Sequence, residues 1–322
     1  MKFDYIIGNP PYQETLNGTS DKQVYNYFMD AAYEIGNVVE LITKGGFLFN
    51  AGKTPKKWNE KMLNDPHLKV LKYVAKSSDV FPNVGFKGGV AITYRDANDL
   101  HNPIGTFTIF PELRGIINKV IFRTDFSSLS SIIYPQNKFN LDVLYSEHPE
   151  IKSLIGSNGR ERRLTTSILD LPIFSDSKDK DHEIEIKGLV KNKRIAKFIK
   201  GVYLDDNSNL QDYKVIVPKS NGSGALGEVL STPLIGTPLI GYTQSFIGIG
   251  KFLDKFEAEA CLEYVKSKFR RVMLGTLKVT QDNNVETWKN VPLQDFSVTS
   301  SIDWTKSIHE IDLQLYNKYG LT

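Results

Sequence analysis

The chain opens on an apolar run, FDYII (residues 3–7), that breaks directly into GNPPY (residues 8–12). Apolar, aromatic and β-branched residues ended by glycine and proline read as a strand followed by a turn. Gly8 and one proline are enough for a bend, so a strand-ending turn is the plain reading. The five residues together carry more. Pro10 and Pro11 have fixed φ and no N–H, which leaves backbone carbonyls with no donors competing for them. Asn9 adds a side-chain carbonyl on one flank, and Tyr12 a flat ring on the other.

That set suits a planar ligand carrying an amino group: two acceptors for its two N–H bonds and a ring against its face. An adenine base meets the description. Its exocyclic amine is a poor nucleophile because the lone pair is delocalised into the ring, and acceptors set off the ring plane would draw it toward a tetrahedral geometry. Asn9 through its side-chain oxygen and Pro10 through its backbone carbonyl could supply those acceptors, with Tyr12 holding the ring. An electrophilic methyl donor would complete the reaction.

Working outward, DKQVYNYFMDAAYEIG (21–36) and KKWNEKMLND (56–65) have helical spacing. VVELITKGGFLFN (38–50) reads as an apolar segment turning at Gly45–Gly46 into a short strand. HLKVLKYVA (67–75) and GGVAITYRD (88–96) are strand-like and flank the loop KSSDVFPNVGFK (76–87). Strands alternating with helices predict a parallel sheet, so residues 1–98 form one α/β half-domain. Beyond residue 98 the alternation is lost and Gly-, Ser- and Asn-rich loops take over, as in 205–228, so a second domain spans 99–322.

Composition narrows the classes. The 322 residues, 40% hydrophobic and 24% charged, are ordinary for a globular protein with room for two domains. No apolar run reaches the roughly 20 residues that span a bilayer, and no signal-peptide pattern is present, which predicts a cytoplasmic protein with no membrane partner. The single cysteine, Cys261, rules out an internal disulfide and a zinc cluster, and reads as a buried helix residue; the five histidines form no metal-ligand spacing. Net charge is only +3, but NGRERR (158–163), KGLVKNKRIAKFIK (187–200) and KSKFRR (266–271) concentrate positive charge in the second domain. Arg160, Arg162, Arg163, Lys266, Lys268 and Arg270 are the candidate DNA phosphate contacts. Gly222, Gly224 and Gly227 invite a phosphate-loop reading, but no G-x-x-x-x-G-K-[ST] is present, and a flexible loop between strands is the expectation.

DYIIGNPPYQ (4–13) resembles the catalytic motif of the amino-methyltransferases, and the chain beyond it resembles the adenine-specific DNA methyltransferases of restriction–modification systems. The resemblance runs over nearly the whole chain and is strongest at 3–13, 77–96 and 213–322. It implies a partial Rossmann-like methyltransferase sheet followed by an α+β target-recognition domain that binds double-stranded DNA. It places the turn Asn9, Pro10, Pro11 and Tyr12 at the C-terminal end of a parallel strand. It also implies a flipped target adenine held between Tyr12 and an aromatic of the VFP loop, Phe81, with Phe86 as the nearby alternative. S-adenosylmethionine is the implied methyl donor. In that family its glycine loop and acidic ribose ligand normally precede the turn, and seven residues precede Gly8 here. A complementary subunit or upstream segment carrying the cofactor-binding strands is therefore expected, because FDYII would otherwise be an apolar sheet edge. SFIGIGKF (245–252) imitates a glycine loop, but no strand ending in Asp or Glu follows at the required distance, so it reads as an ordinary strand. The rival reading is a non-catalytic DNA-recognition protein or a methylase remnant.

Overall fold

The computed structural model describes residues 2–14, 22–49, 53–82, 85–86, 88–101, 103–156, 159–205, 209–278 and 281–321. The chain divides into two compact units, residues 1–115 and 116–322. The composition shift at residue 98 marks the end of the strands and not the end of the first unit. His101 N donates to Pro66 O at 2.6 Å, Gly105 N to Leu63 O at 2.8 Å, and Phe107 is buried in the first core.

In the first unit, strand β1 (Phe3–Gly8) is followed by helix α1 (Tyr25–Ile35), strand β2 (Gly36–Lys44), a 3₁₀ turn (Gly45–Phe49), helix α2 (Lys56–Asn64) and strands β3 (Leu68–Val74) and β4 (Val90–Asp96). The sheet order is β1-β2-β4-β3. Helix α1 carries the chain back across the sheet, so β2 lies parallel to β1, with Gly8 beside Leu41. The wholly parallel sheet expected from sequence is not what forms: β4 runs antiparallel to both β2 and β3. Among the described residues of 75–89 there is a 3₁₀ turn (Ser77–Asp79) and no crossover helix, and the chain leaving β3 returns in the opposite direction.

The short strand expected after Gly45–Gly46 is likewise the 3₁₀ turn. Gly45 N donates to Gly89 O at 2.9 Å, and a Cβ on Gly88 would meet the Gly46 backbone at 3.0 Å. Two glycine pairs thus permit a close backbone approach that larger residues would block. The apolar face of α1, with Tyr25, Met29 and Ala32, packs with Val39, Leu41, Phe47, Trp58, Met62 and Leu68. Burying a side chain of this size contributes about 1.5–3 kcal/mol. Asp30 ties α1 to α2 by accepting from Trp58 Nε1 and Lys61 Nζ at 3.0 and 2.8 Å.

Helix α3 (Pro111–Ile121) spans the division between the units. The second unit is α+β. Strands β5 (Ile133–Tyr134), β6 (Ile184–Val190), β7 (Lys193–Ile199), β8 (Tyr213–Pro218), β9 (Leu234–Gly236), β10 (Ile240–Tyr242) and β11 (Phe246–Phe252) form an antiparallel sheet β9-β8-β11-β5 and a sheet β10-β6-β7. All of the basic stretch 187–200 except its last residue, Lys200, falls within the β6–β7 hairpin, where Lys191 and Asn192 take positive φ (48° and 61°) as a two-residue primed turn requires. FIGIG lies in β11, a central buried strand. Helices α4 (Lys255–Lys266), α5 (Lys268–Gly275) and α6 (Ile308–Tyr319) bury Cys261, Tyr264, Phe269, Ile311 and Leu315 against Val215, Val217, Ile247 and Ile249.

Candidate active site

Because β1 and β2 are parallel, their C-terminal ends lie side by side, and the ribbon that follows the turn meets the last residue of β2 there. Asn9 and Pro11 are exposed, and Pro10 and Tyr12 half-buried. Among the described residues Asn9 makes no side-chain hydrogen bond, so its carbonyl oxygen is available to a ligand. Beyond the turn, Tyr12 O accepts from Val24 N at 3.1 Å, and Gln13–Glu14 pair with Lys22–Gln23 as a short antiparallel ribbon.

Tyr12 faces the loop between β3 and β4. Its ring centroid is 5.3 Å from that of Phe86 at 75° and 6.3 Å from that of Phe81 at 62°, both edge-to-face. The structure therefore brings the turn and both candidate phenylalanines together, with Phe86 nearer than Phe81. Holding a base between parallel rings requires a gap of about 7 Å, twice the contact distance of stacked carbons. Tyr12 and Phe81 do not form that gap in this state; one ring must turn to admit a base. Among the described residues the buried Tyr12 hydroxyl has no hydrogen-bond partner, and burial pushes its pKa up to about 12. Phe86 is fixed by its backbone: Ser77 Oγ accepts from Phe86 N at 3.0 Å and donates to Phe86 O at 3.2 Å.

Sequence reasoning missed Lys44. It ends β2, is 8% exposed, and donates to Gln13 Oε1 at 2.6 Å and Gln23 Oε1 at 3.1 Å. Its ammonium sits 5.0 Å from the Phe86 ring centroid, a cation–π distance. One buried cation thus joins the ribbon after Tyr12 to the phenylalanine facing it. The signal available in ELITKGGF was a lysine closing an apolar strand immediately before a glycine pair.

The basic candidates separate. Arg160, Arg162 and Arg163 are exposed on one tight turn, where Arg163 N donates to Arg160 O at 2.9 Å and Arg162 O accepts from Phe139 N at 2.7 Å. Asn158 of that stretch lies outside the described residues. Lys268 is exposed, and Lys266 is half-buried and paired with Glu263 at 2.7 Å. Arg270 does not fit a phosphate contact: it is 1% exposed, with its guanidinium 5.6 Å from the Trp288 ring centroid. Residues Phe269, Arg270, Met273 and Leu274 make the buried face of α5, and Arg270 belongs to it. Among the described residues, no group of three or more His, Cys, Asp or Glu could hold a metal ion, and no helix is long and apolar enough to cross a membrane.

Residues 1–81 match a family model described as Eco57I restriction-modification methylase. No curated protein matches. Among solved structures, the Type IIL restriction-modification enzyme MmeI, determined in complex with DNA, is similar over 99% of this chain at 8% identity and a TM-score of 0.44. This chain spans 55% of the length of that one.

Proposed function

We propose that the first unit carries the base-binding half of an adenine-specific DNA methyltransferase and that the second unit recognises the DNA. The observation that supports this best is the Asn-Pro-Pro-Tyr turn at the C-terminal end of a parallel strand, inside the stretch similar to restriction-modification methylases, with an aromatic pair at its side. The target adenine leaves the duplex, because its amine is inaccessible in the stack. Asn9 Oδ1 and the Pro10 carbonyl accept the two amine N–H bonds and favour the tetrahedral nitrogen as positive charge develops on it. Tyr12 lies against one face of the base and Phe81 or Phe86 against the other.

The methyl donor, S-adenosylmethionine, would supply an electrophilic methyl group. The described residues do not fit it: FIGIG is a buried strand and not a loop, and neither strand next to the turn ends in a carboxylate suited to a ribose. Its binding strands would instead extend the sheet from the open edge of β1, contributed by a complementary subunit or a longer polypeptide. The isolated chain is accordingly expected to bind S-adenosylmethionine weakly or not at all by isothermal titration. Once the cofactor-binding half is identified and supplied, Asn9→Ala should abolish transfer of a tritiated methyl group to duplex DNA and leave DNA affinity nearly intact. Full activity in Asn9→Ala would reduce the turn to a strand-ending bend.

A further inference from the structure

The glycine loop between β8 and β9 encloses an anion. Gly222 and Gly224 adopt left-handed backbone angles, φ +68° and +90°. Between them Ser223 N donates to Glu228 Oε2 at 2.8 Å, and Gly224 N lies 3.2 Å from both carboxylate oxygens. Lys278 completes the set. Its ammonium pairs with Glu228 Oε1, donates to Asn221 O at 2.9 Å, and belongs to a side chain that is 1% exposed. Consecutive N–H groups turned to one point by left-handed residues make a concavity of the kind that binds phosphate. A Cβ on Gly222 would overlap the carboxylate, so glycine is needed there to leave room for the anion's oxygens.

The occupant is the chain's own side chain, brought back over residues 225–227 with Gly227 also left-handed (φ +71°). That segment belongs to neither flanking strand, so the carboxylate can leave without breaking the β8 or β9 ladder. Gly222 and Ser223 are exposed, and the Glu228 side chain is itself 15% exposed. Its departure would leave the buried Lys278 ammonium, among the described residues, with the Asn221 carbonyl as its partner, an arrangement that favours entry of another anion.

We propose that this nest is a phosphate-binding site in which Glu228 stands in for the ligand, and that a phosphate group displaces it to bind Ser223 N, Gly224 N and Lys278 Nζ. The phosphate is either free or part of a nucleic-acid backbone, and the same donors serve both. The inference goes beyond the methyl-transfer reading and does not depend on it. The test uses the full chain as wild type, Glu228→Ala and Glu228→Gln, with inorganic phosphate as probe and sodium chloride at matched ionic strength as control. The amide resonances of Ser223 and Gly224 should move with phosphate in Glu228→Ala at concentrations at least tenfold below those needed in the wild type. Lys278→Met added to Glu228→Ala should remove the response. A duplex-DNA arm separates the sources. If the ligand is backbone phosphate, Glu228→Ala should steepen the dependence of log affinity on log salt by about 0.9, one more phosphate contact; an unchanged slope with phosphate binding retained assigns the site to free phosphate. Glu228→Gln, which keeps the shape and loses the charge, carries the same titration if Glu228→Ala does not fold. Failure of both to fold, or folded variants that bind phosphate no better than wild type, would show that Glu228 is a fixed structural cap and overturn the proposal.

Discussion

At the scale of single residues, Tyr12 offers the sharpest separation of roles. Its ring meets Phe86 edge-on, while its buried hydroxyl has no partner among the described residues. A buried donor left unpaired is destabilising, so Tyr12→Phe should leave urea-unfolding stability unchanged or raise it by up to about 1 kcal/mol. Tyr12→Ala removes the ring contact, worth about 0.5–1.5 kcal/mol beyond the burial it loses. It should also weaken capture of an extruded base by about 1–3 kcal/mol, by analogy with stacking in single-strand binders. 2-Aminopurine fluorescence at the target position reads the second effect. Equal damage from both substitutions would transfer the role from the ring to the hydroxyl. The turn itself was legible because proline and glycine act locally on φ. The burial of Lys44 was not, because it depends on Gln13, Gln23 and Phe86, which reach it only through the folded sheet.

Among elements, position was readable and direction was not. The helical spacing of α1 and α2 and the apolar runs of β1 to β4 are properties of their own residues. The reversal of β4 goes with a connection that shows no helix among its described residues, and the absence of a helical pattern in the sequence of residues 76–87 was the clue. In the second unit, α5 illustrates the opposite case: KSKFRR reads as a basic face by composition, whereas the i, i+3 and i+4 spacing of Arg270, Met273 and Leu274 turns one arginine inward. The start of α5 is held from α6, since Asp312 accepts from Lys268 N at 3.1 Å and Phe269 N at 2.9 Å and is buried. The start of α6 carries its own capping box, Ser307 with Glu310. Ser307→Ala should therefore cost about 1 kcal/mol. Asp312→Ala, which strips two charge-assisted bonds from a buried helix end, should cost about 3 kcal/mol. Urea midpoints compare them directly, and a smaller loss at Asp312 than at Ser307 would mean that the α5–α6 tie contributes little.

For the molecule as a whole, charge and edges decide what it meets. If the exposed turn at Arg160, Arg162 and Arg163 neutralises DNA phosphates, reversing all three to Glu should weaken gel-shift affinity at low salt and flatten its salt dependence. Arg270→Glu should instead lower the melting temperature, because it places a carboxylate in the core, and Arg270→Met should be tolerated. The other open question lies at β1, an end strand of its sheet whose outer side has no partner strand among the described residues. Tyr5 and Ile7 are 71% and 79% exposed on the same face, while Ile6 points into the core. An edge with unpaired backbone groups and apolar side chains promotes strand addition, and a lysine on such an edge opposes it. The purified chain should therefore associate as its concentration rises in sedimentation velocity. Ile7→Lys should restore a monomer without lowering the melting temperature, because the position is already solvent-facing. A wild-type chain that stays monomeric at every concentration would show that this edge does not recruit a strand, and would remove the physical reason for placing the cofactor-binding strands there.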